Sequence, residues 1–427
     1  MYLLYSILLV LSTILSAPLF LTLSFMMKKY RHGLTERLGF LPLKKGWARG
    51  GEKLLWLHAV SVGEITAALP LLKEIRRRRA ELKLVVSVVT PGGYQVAQEK
   101  FPEADLIFYF PLDYPWVVKR VIDQLSPSLF VMIETEIWPN FLRYLAQKNI
   151  PSILVNGRIS PKSFQRYTLV KPFMTQVLSS VTLFSMRGEE DATRLLKLGA
   201  DPKKVLITGN IKFDQPLNPL TEEEIEAFRA ALNLDQKSSV MIAGSTHKGE
   251  EEIILDVYSV LKAKYPYLAL VIAPRHIERV GEIEALLKKK RLAYVKKSEL
   301  MNQREPIIVL DTFGELMKLY GIGTIIFVGK SLVPEGGGHN ILEPAAYGKP
   351  VLFGPYMSNF SEIAELLKAS GGGIEVHSQE ELLSKIEELL EDRAKWKLLG
   401  VKAAQVVKNH QGALSRTLAI LEVMSDE

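Results

Sequence analysis

Between Lys53 and Lys212, short runs of β-branched and aromatic residues alternate with stretches whose apolar positions recur every three or four residues. The runs are LLWLHAV (54–60), KLVVSVV (83–89), DLIFYF (105–110), SLFVMIE (128–134), SILVN (152–156), TLFSM (182–186) and VLITG (205–209). They are apolar at nearly every position, as strands buried on both faces of a parallel sheet must be. Between them EITAALPLLKEI (64–75), GYQVAQEKF (93–101), WVVKRVIDQL (116–125) and EEDATRLLKLG (189–199) carry the helical period. This alternation predicts βαβ units with helices on both faces of the sheet. Pro216, Asn218, Pro219 and the acidic run Glu222 to Glu224 mark a linker. The pattern then restarts with SVMIAGS (239–245), EEIILDVYSVLKAKY (251–265), LALVIAP (268–274), IEALLKK (283–289), PIIVLD (306–311), TIIFVG (324–329) and PVLFG (350–354), and from Gln379 onward it is nearly all helical. The predicted fold is α/β, with two doubly wound Rossmann-like domains in series facing a cleft. The expected divisions are a membrane anchor helix over 1–27, a first domain over 28–214, a linker over 215–225, a second domain over 226–400 and a C-terminal helix over 401–427.

The anchor follows from charge. Met1 to Met27 has no charged side chain, and about 20 helical residues cross a bilayer of about 30 Å. Lys28, Lys29, Arg31 and Arg37 follow the apolar run instead of preceding it, which argues against a secretory signal and leaves the body of the protein on the cytoplasmic face of the membrane. Pro18 and the interspersed Ser6, Ser12, Ser16 and Ser24 favour the alternative, a helix lying in the interface or buried in a core.

The chain has 427 residues, 48% hydrophobic and 24% charged, enough for two full cores, which excludes disorder as the main state. A net charge of +7 suits an anionic ligand or membrane surface and is too small to argue for nucleic acid. With no cysteine, disulfides, iron–sulfur clusters, cysteine-bound zinc and thiol nucleophiles are excluded. The seven histidines form no His-Glu-x-x-His, so neither a metal nor another cofactor is expected.

Ligands of such sheets bind beyond the carboxyl ends of the strands, so the loops there hold the candidates. Glu64 opens a helix after the first strand and suits a general base, although a carboxylate in a first turn is also favoured by the helix dipole alone. Glu134 and Glu136 follow a strand and precede Trp138-Pro139, where a turn begins, so only one of the two need point inward. Lys212 can deliver a point charge, and Arg275, its approach fixed by Pro274, offers a fork for phosphate; a solvated lysine is the plain alternative for the former. Gly336 to Gly338 before Asn340 let backbone amides approach an anion, and Glu343 can accept ribose hydroxyls; the glycines alone favour a mobile loop. No Gly-x-Gly-x-x-Gly or Walker loop is present. His58, His247, His276 and His339 lie at strand or loop ends, where they contact a ligand or hold loops together. Arg76 to Arg79 close a helix as a solvated face, with anionic lipid as a second partner alongside Lys44, Lys45 and Arg49.

Taken together, HAVSVGE (58–64), MIETEIWPN (132–140), TGNIKFD (208–214), GSTHKGEEE (244–252), APRHIER (273–279), DTFGEL (311–316) and GGHNILEPAAYGKPVLFGP (337–355) resemble the 3-deoxy-D-manno-octulosonic acid (Kdo) transferases of lipopolysaccharide synthesis, in order and spacing across nearly the whole chain. The resemblance implies a GT-B glycosyltransferase, a CMP-Kdo donor, a tetraacylated lipid A precursor (lipid IVA) as acceptor and a place at the cytoplasmic leaflet of the inner membrane. It implies inversion at the anomeric carbon without a metal. Carried over, Glu64 is the proton acceptor, and Glu134 and Lys212 stabilise the transition state. CMP contacts fall on Pro274 and Arg275, on Phe313, Gly314 and Glu315, and on Asn340, Ile341, Leu342 and Glu343. Two positions depart from the family: Lys330 stands where a glycine is usual, and the Pro334–Gly338 loop is one residue longer. The rival functions are a transferase or 2-epimerase using a UDP-sugar and a membrane-anchored binding module without activity.

Overall fold

The computed structural model describes residues 1–26, 32–43, 47, 52–214, 220–235, 237–300, 305–334 and 336–426, with the side chains of 18–26 and 425–426 outside the description. Lys28, Lys29, Arg31, Lys44, Lys45, Arg49, Pro216, Asn218 and Pro219, all named above, therefore lie outside the described residues. The chain divides into two units, Met1–Gln215 with His410–Glu427, and Pro216–Asn409.

In the first unit the strands are β1 (Leu54–His58), β2 (Lys83–Val88), β3 (Leu106–Tyr109), β4 (Leu129–Ile133), β5 (Ser152–Gly157), β6 (Leu183–Met186) and β7 (Val205–Ile207). They form one sheet in the order β3-β2-β1-β4-β5-β6-β7, parallel at every pairing. Alternate residues serve opposite layers: Leu54, Trp56, Phe130 and Met132 lie in one core, Leu55, Leu57, Leu129 and Val131 in the other. This two-sided burial is why the runs are apolar throughout. Trp56 has no exposed surface, and Phe108, Phe130 and Phe141 lie 5.4, 5.1 and 5.1 Å from it between ring centroids. Its indole N–H donates to Ser87 Oγ at 2.7 Å, satisfying the group that burial would otherwise leave unpaired.

The second unit repeats the plan with β8 (Ser239–Thr246), β9 (Leu268–Pro274), β10 (Val295–Lys296), β11 (Ile307–Val309), β12 (Ile325–Val328), β13 (Val351–Phe353) and β14 (Gly373–Glu375). Their order is β10-β11-β9-β8-β12-β13-β14, again all parallel. The Glu250 carboxylate, wholly buried, accepts the backbone N–H groups of His247 (3.0 Å), Lys330 (2.7 Å), Ser331 (2.9 Å) and Leu332 (3.0 Å). It thereby ties the loop after β8 to the loop after β12. Gly329 sits where a Cβ would come within 2.7 Å of the Ser245 carbonyl and Thr246 Cα, so the two loops approach as closely as backbone allows.

The N-terminal helix runs Tyr2–Met26. Tyr5 donates to Asp113 at 3.0 Å, Ser6 to Asn140 at 3.2 Å, and the Thr13 and Tyr114 hydroxyls bond to each other, which fastens one side of the helix to the first unit. Leu3, Leu4, Leu8 and Leu15 are exposed. Among the described residues no helix is long and apolar enough to cross a membrane, and the expectation of a single-pass anchor gains no support from the fold.

Candidate active site

In each sheet the order reverses direction at its centre, between β1 and β4 in the first unit and between β8 and β12 in the second. Loops diverge there beyond the strand ends and leave room for a ligand. In the first unit the divergence opens a pocket of about 280 Å³ lined by Glu64, Glu134, Thr135, Glu136, Arg158, Ser160 and Ser163.

Glu64 lies in the first turn of the helix Val62–Arg78. Its carboxylate accepts Val60 N–H at 2.6 Å and Ser61 Oγ–H at 3.2 Å, so the local helix-end role foreseen as an alternative is present. It does not exhaust the residue. Burial, followed by the charges of Glu134 and Glu136, pushes its carboxyl up to about 7 against those two bonds, so near neutrality it exchanges a proton readily. Glu134 follows β4 in a left-handed conformation, φ 63°, with its N–H on Val155 O at 2.9 Å. The strand has ended there, and both Glu134 and Glu136 line the pocket, where the sequence required only one. Lys212, on the single turn Ile211–Asp214, reaches Glu134 Oε1 with Nζ at 2.9 Å, the two side chains being 13% and 15% exposed. Removing one partner of a pair this enclosed costs more than breaking a surface ion pair, because it leaves a charge uncompensated away from water, and Glu134 is the carboxylate that Lys212 neutralises.

His58 has no exposed surface and stacks on Phe110 at 3.8 Å. It touches Glu136, not the solvent side of the pocket, its Nε2 lying 3.6 Å from Glu136 Oε2. The sequence offered Glu136 only as one of a pair with Glu134, of which one need point inward, and gave Arg158 no role. Arg76 to Arg79 are each paired with carboxylates, Asp105 (2.6 Å), Glu74 (2.6 and 2.7 Å) and Glu81 (2.6 Å); Arg77 and Arg78 are solvated as expected, while Arg76 and Arg79 are half-buried.

In the second unit Pro274 ends β9 and Arg275, exposed, donates its N–H to Thr246 O at 3.1 Å. Beyond β11, Phe313 is 84% exposed, Gly314 has φ +84°, and Glu315 accepts from the Thr312 hydroxyl and faces Lys297 at 3.4 Å. Asn340 donates through Nδ2 to Glu343 Oε1 at 3.1 Å and accepts Leu342 N–H at 3.1 Å, at the head of the short helix Leu342–Ala346. Ile341 and Leu342 are buried, and the Leu342 N–H is held by Asn340. Burial raises Glu343 to about 7, opposed by the Asn340 bond and by Arg275. His247 and His339 lie 5.2 Å apart and His247 and His276 5.8 Å apart. Burial, then Arg275, His247, Lys330 and His276, pushes His339 down to about 3, so its ring is neutral near pH 7 and the cations beside it are Arg275 and Lys330. Glu335, in the loop Pro334–Gly338, lies outside the described residues. Among the described residues no group of three or more His, Asp or Glu is arranged to hold a metal ion.

The model of the 3-deoxy-D-manno-octulosonic-acid transferase (kdotransferase) family matches residues 32–215, and that of the group 1 glycosyl transferases matches 222–406. A 3-deoxy-D-manno-octulosonic acid transferase of Haemophilus influenzae is 37% identical over 402 residues, 92% of each chain. One from Chlamydophila psittaci is 34% identical over 87% of this chain and 84% of its own. A crystal structure of a glycosyltransferase from Rickettsia africae superposes with a TM-score of 0.58 over 88% of this chain and 99% of that one, at 16% identity, a likeness of fold.

Proposed function

We propose a specific reaction for this chain, which belongs to the 3-deoxy-D-manno-octulosonic acid transferases and is therefore a glycosyltransferase: transfer of Kdo from CMP-Kdo to a lipid A precursor, lipid IVA, with inversion and without a metal. The observation that carries it is the meeting of Glu64, Glu134 and Glu136 on one pocket, with Glu64 held near a carboxyl value of about 7 and Lys212 neutralising Glu134. Glu64 takes the proton of the acceptor's primary hydroxyl as that oxygen attacks the anomeric carbon, and CMP leaves from the opposite face. Arg275 and the groups around His339 bind the anionic donor, Asn340 and Glu343 its ribose, and Phe313 to Glu315 the nucleotide. Charge developing on the departing phosphate meets fixed cations, which serve where other transferases use a divalent ion.

Transfer of Kdo from CMP-Kdo to lipid IVA, with the products counted, is the direct test. Glu64→Gln is expected to lower kcat by about 10²–10⁴ while CMP still binds, the usual share of a general base; near-normal turnover of that variant rejects the role. Excess chelator is expected to leave the rate unchanged. The protein works at the cytoplasmic leaflet of the inner membrane, with exposed Leu3, Leu4, Leu8 and Leu15 entering the lipid from a helix fastened to the first unit. Flotation with anionic vesicles, lost when these leucines become serine, checks this.

A further inference from the structure

Glu136 is held in an unequal way. Its Oε2 accepts the Trp138 indole N–H at 2.9 Å and faces His58 Nε2 at 3.6 Å. Its Oε1 has no hydrogen-bond partner among the described residues, on a side chain that lines the same pocket as Glu64. Behind it the arrangement is fixed. Trp56 donates to Ser87 Oγ at 2.7 Å, and His58 Nδ1 lies 3.0 Å from that oxygen and 3.1 Å from the Ser87 carbonyl. His58 is fully buried against Phe110, so its ring cannot swing away. Its Nε2 is a buried polar atom with no hydrogen-bond partner, a costly arrangement unless the group it faces answers it. A carboxylate whose one oxygen is approached by two ring nitrogens and whose other oxygen opens on a pocket is oriented as support behind a binding residue orients it.

We propose that Glu136 is a substrate-binding residue that accepts a hydrogen bond from an acceptor hydroxyl, and that His58 is the residue that positions it. This rests on the reading of the first-unit pocket as the acceptor site. Glu134 is not equivalent, because its Oε1 is committed to Lys212.

The test is a double-mutant cycle on the full-length protein, with Glu136→Gln, His58→Ala, the two together and His58→Gln, and acceptor and donor varied in turn. Glu136→Gln is expected to raise the acceptor KM about tenfold, the size of a lost hydrogen bond to a charged group, and to leave the donor KM unchanged. His58→Ala raises the acceptor KM less, the double variant matches Glu136→Gln alone, and His58→Gln, whose amide N–H reaches toward Nε2, recovers part of the loss. A merely structural histidine would instead lower stability and activity additively with Glu136→Gln. Multiplying losses, or an unchanged acceptor KM in Glu136→Gln, overturns the proposal while the transferase reading stands. A parent protein that transfers no Kdo overturns both. Where His58→Ala does not fold, His58→Gln closes the cycle.

Discussion

Glu64 joins two demands that conflict in most helices: it accepts N–H and O–H groups at its own helix end, which favours the carboxylate, and it is buried beside two more acids, which favours the carboxylic acid. The balance near 7 predicts that kcat/KM for acceptor rises with pH along a limb close to neutrality, because the base must be ionised to act. The neighbours move that limb in opposite senses. Glu136→Gln removes a negative charge and shifts it to lower pH. Lys212→Met leaves Glu134 uncompensated and shifts it to higher pH. Rate–pH profiles of both variants check the two signs. Glu64, Glu134 and Lys212 could be named from residue type and family motif. Glu136 and His58 could not be assigned their places, because a positive φ at a glutamate has no signature in the sequence, and the course of the turn it opens decides whether one or both of Glu134 and Glu136 line the pocket.

At the scale of elements, the long apolar strands were legible because two-sided burial writes itself as an unbroken hydrophobic run. The sheet edges β10 and β14, two and three residues long, were missed because so short a segment shows no period. The N-terminal helix was legible as a helix but not in its bonding: Ser6 counted among the serines that favour a helix at an interface or in a core, Tyr5 and Thr13 had no role, and all three fasten it to the domain. Loop anchoring in the second unit was equally hidden, since Glu250 looks like any acid at the start of a helix. Replacing it by alanine takes the acceptor from four N–H groups, of which that of Ser331 is buried and costs about 1–3 kcal/mol to leave unpaired. Glu250→Ala is therefore expected to lower the melting temperature and raise the donor KM together, measurable by calorimetry and steady-state kinetics.

At the scale of the whole molecule, the first unit is discontinuous, residues 410–427 belonging with 1–215. The returning segment is specifically received: Asp214 accepts Gly412 N–H at 2.6 Å and Leu414 N–H at 2.7 Å, and Arg416 donates to Thr208 O at 2.8 Å. Leu418 and Leu421, each 3% exposed, fill one face of the sheet built from residues 54–207. A variant ending at Asn409 is expected to leave that face open, so that limited proteolysis cuts the first unit and spares the second. The arrangement also sets an order on the ribosome. Residues 216–409 precede the segment 410–427 that supplies the last apolar cover of the first unit, so the unit that carries Glu64 is the later of the two to close.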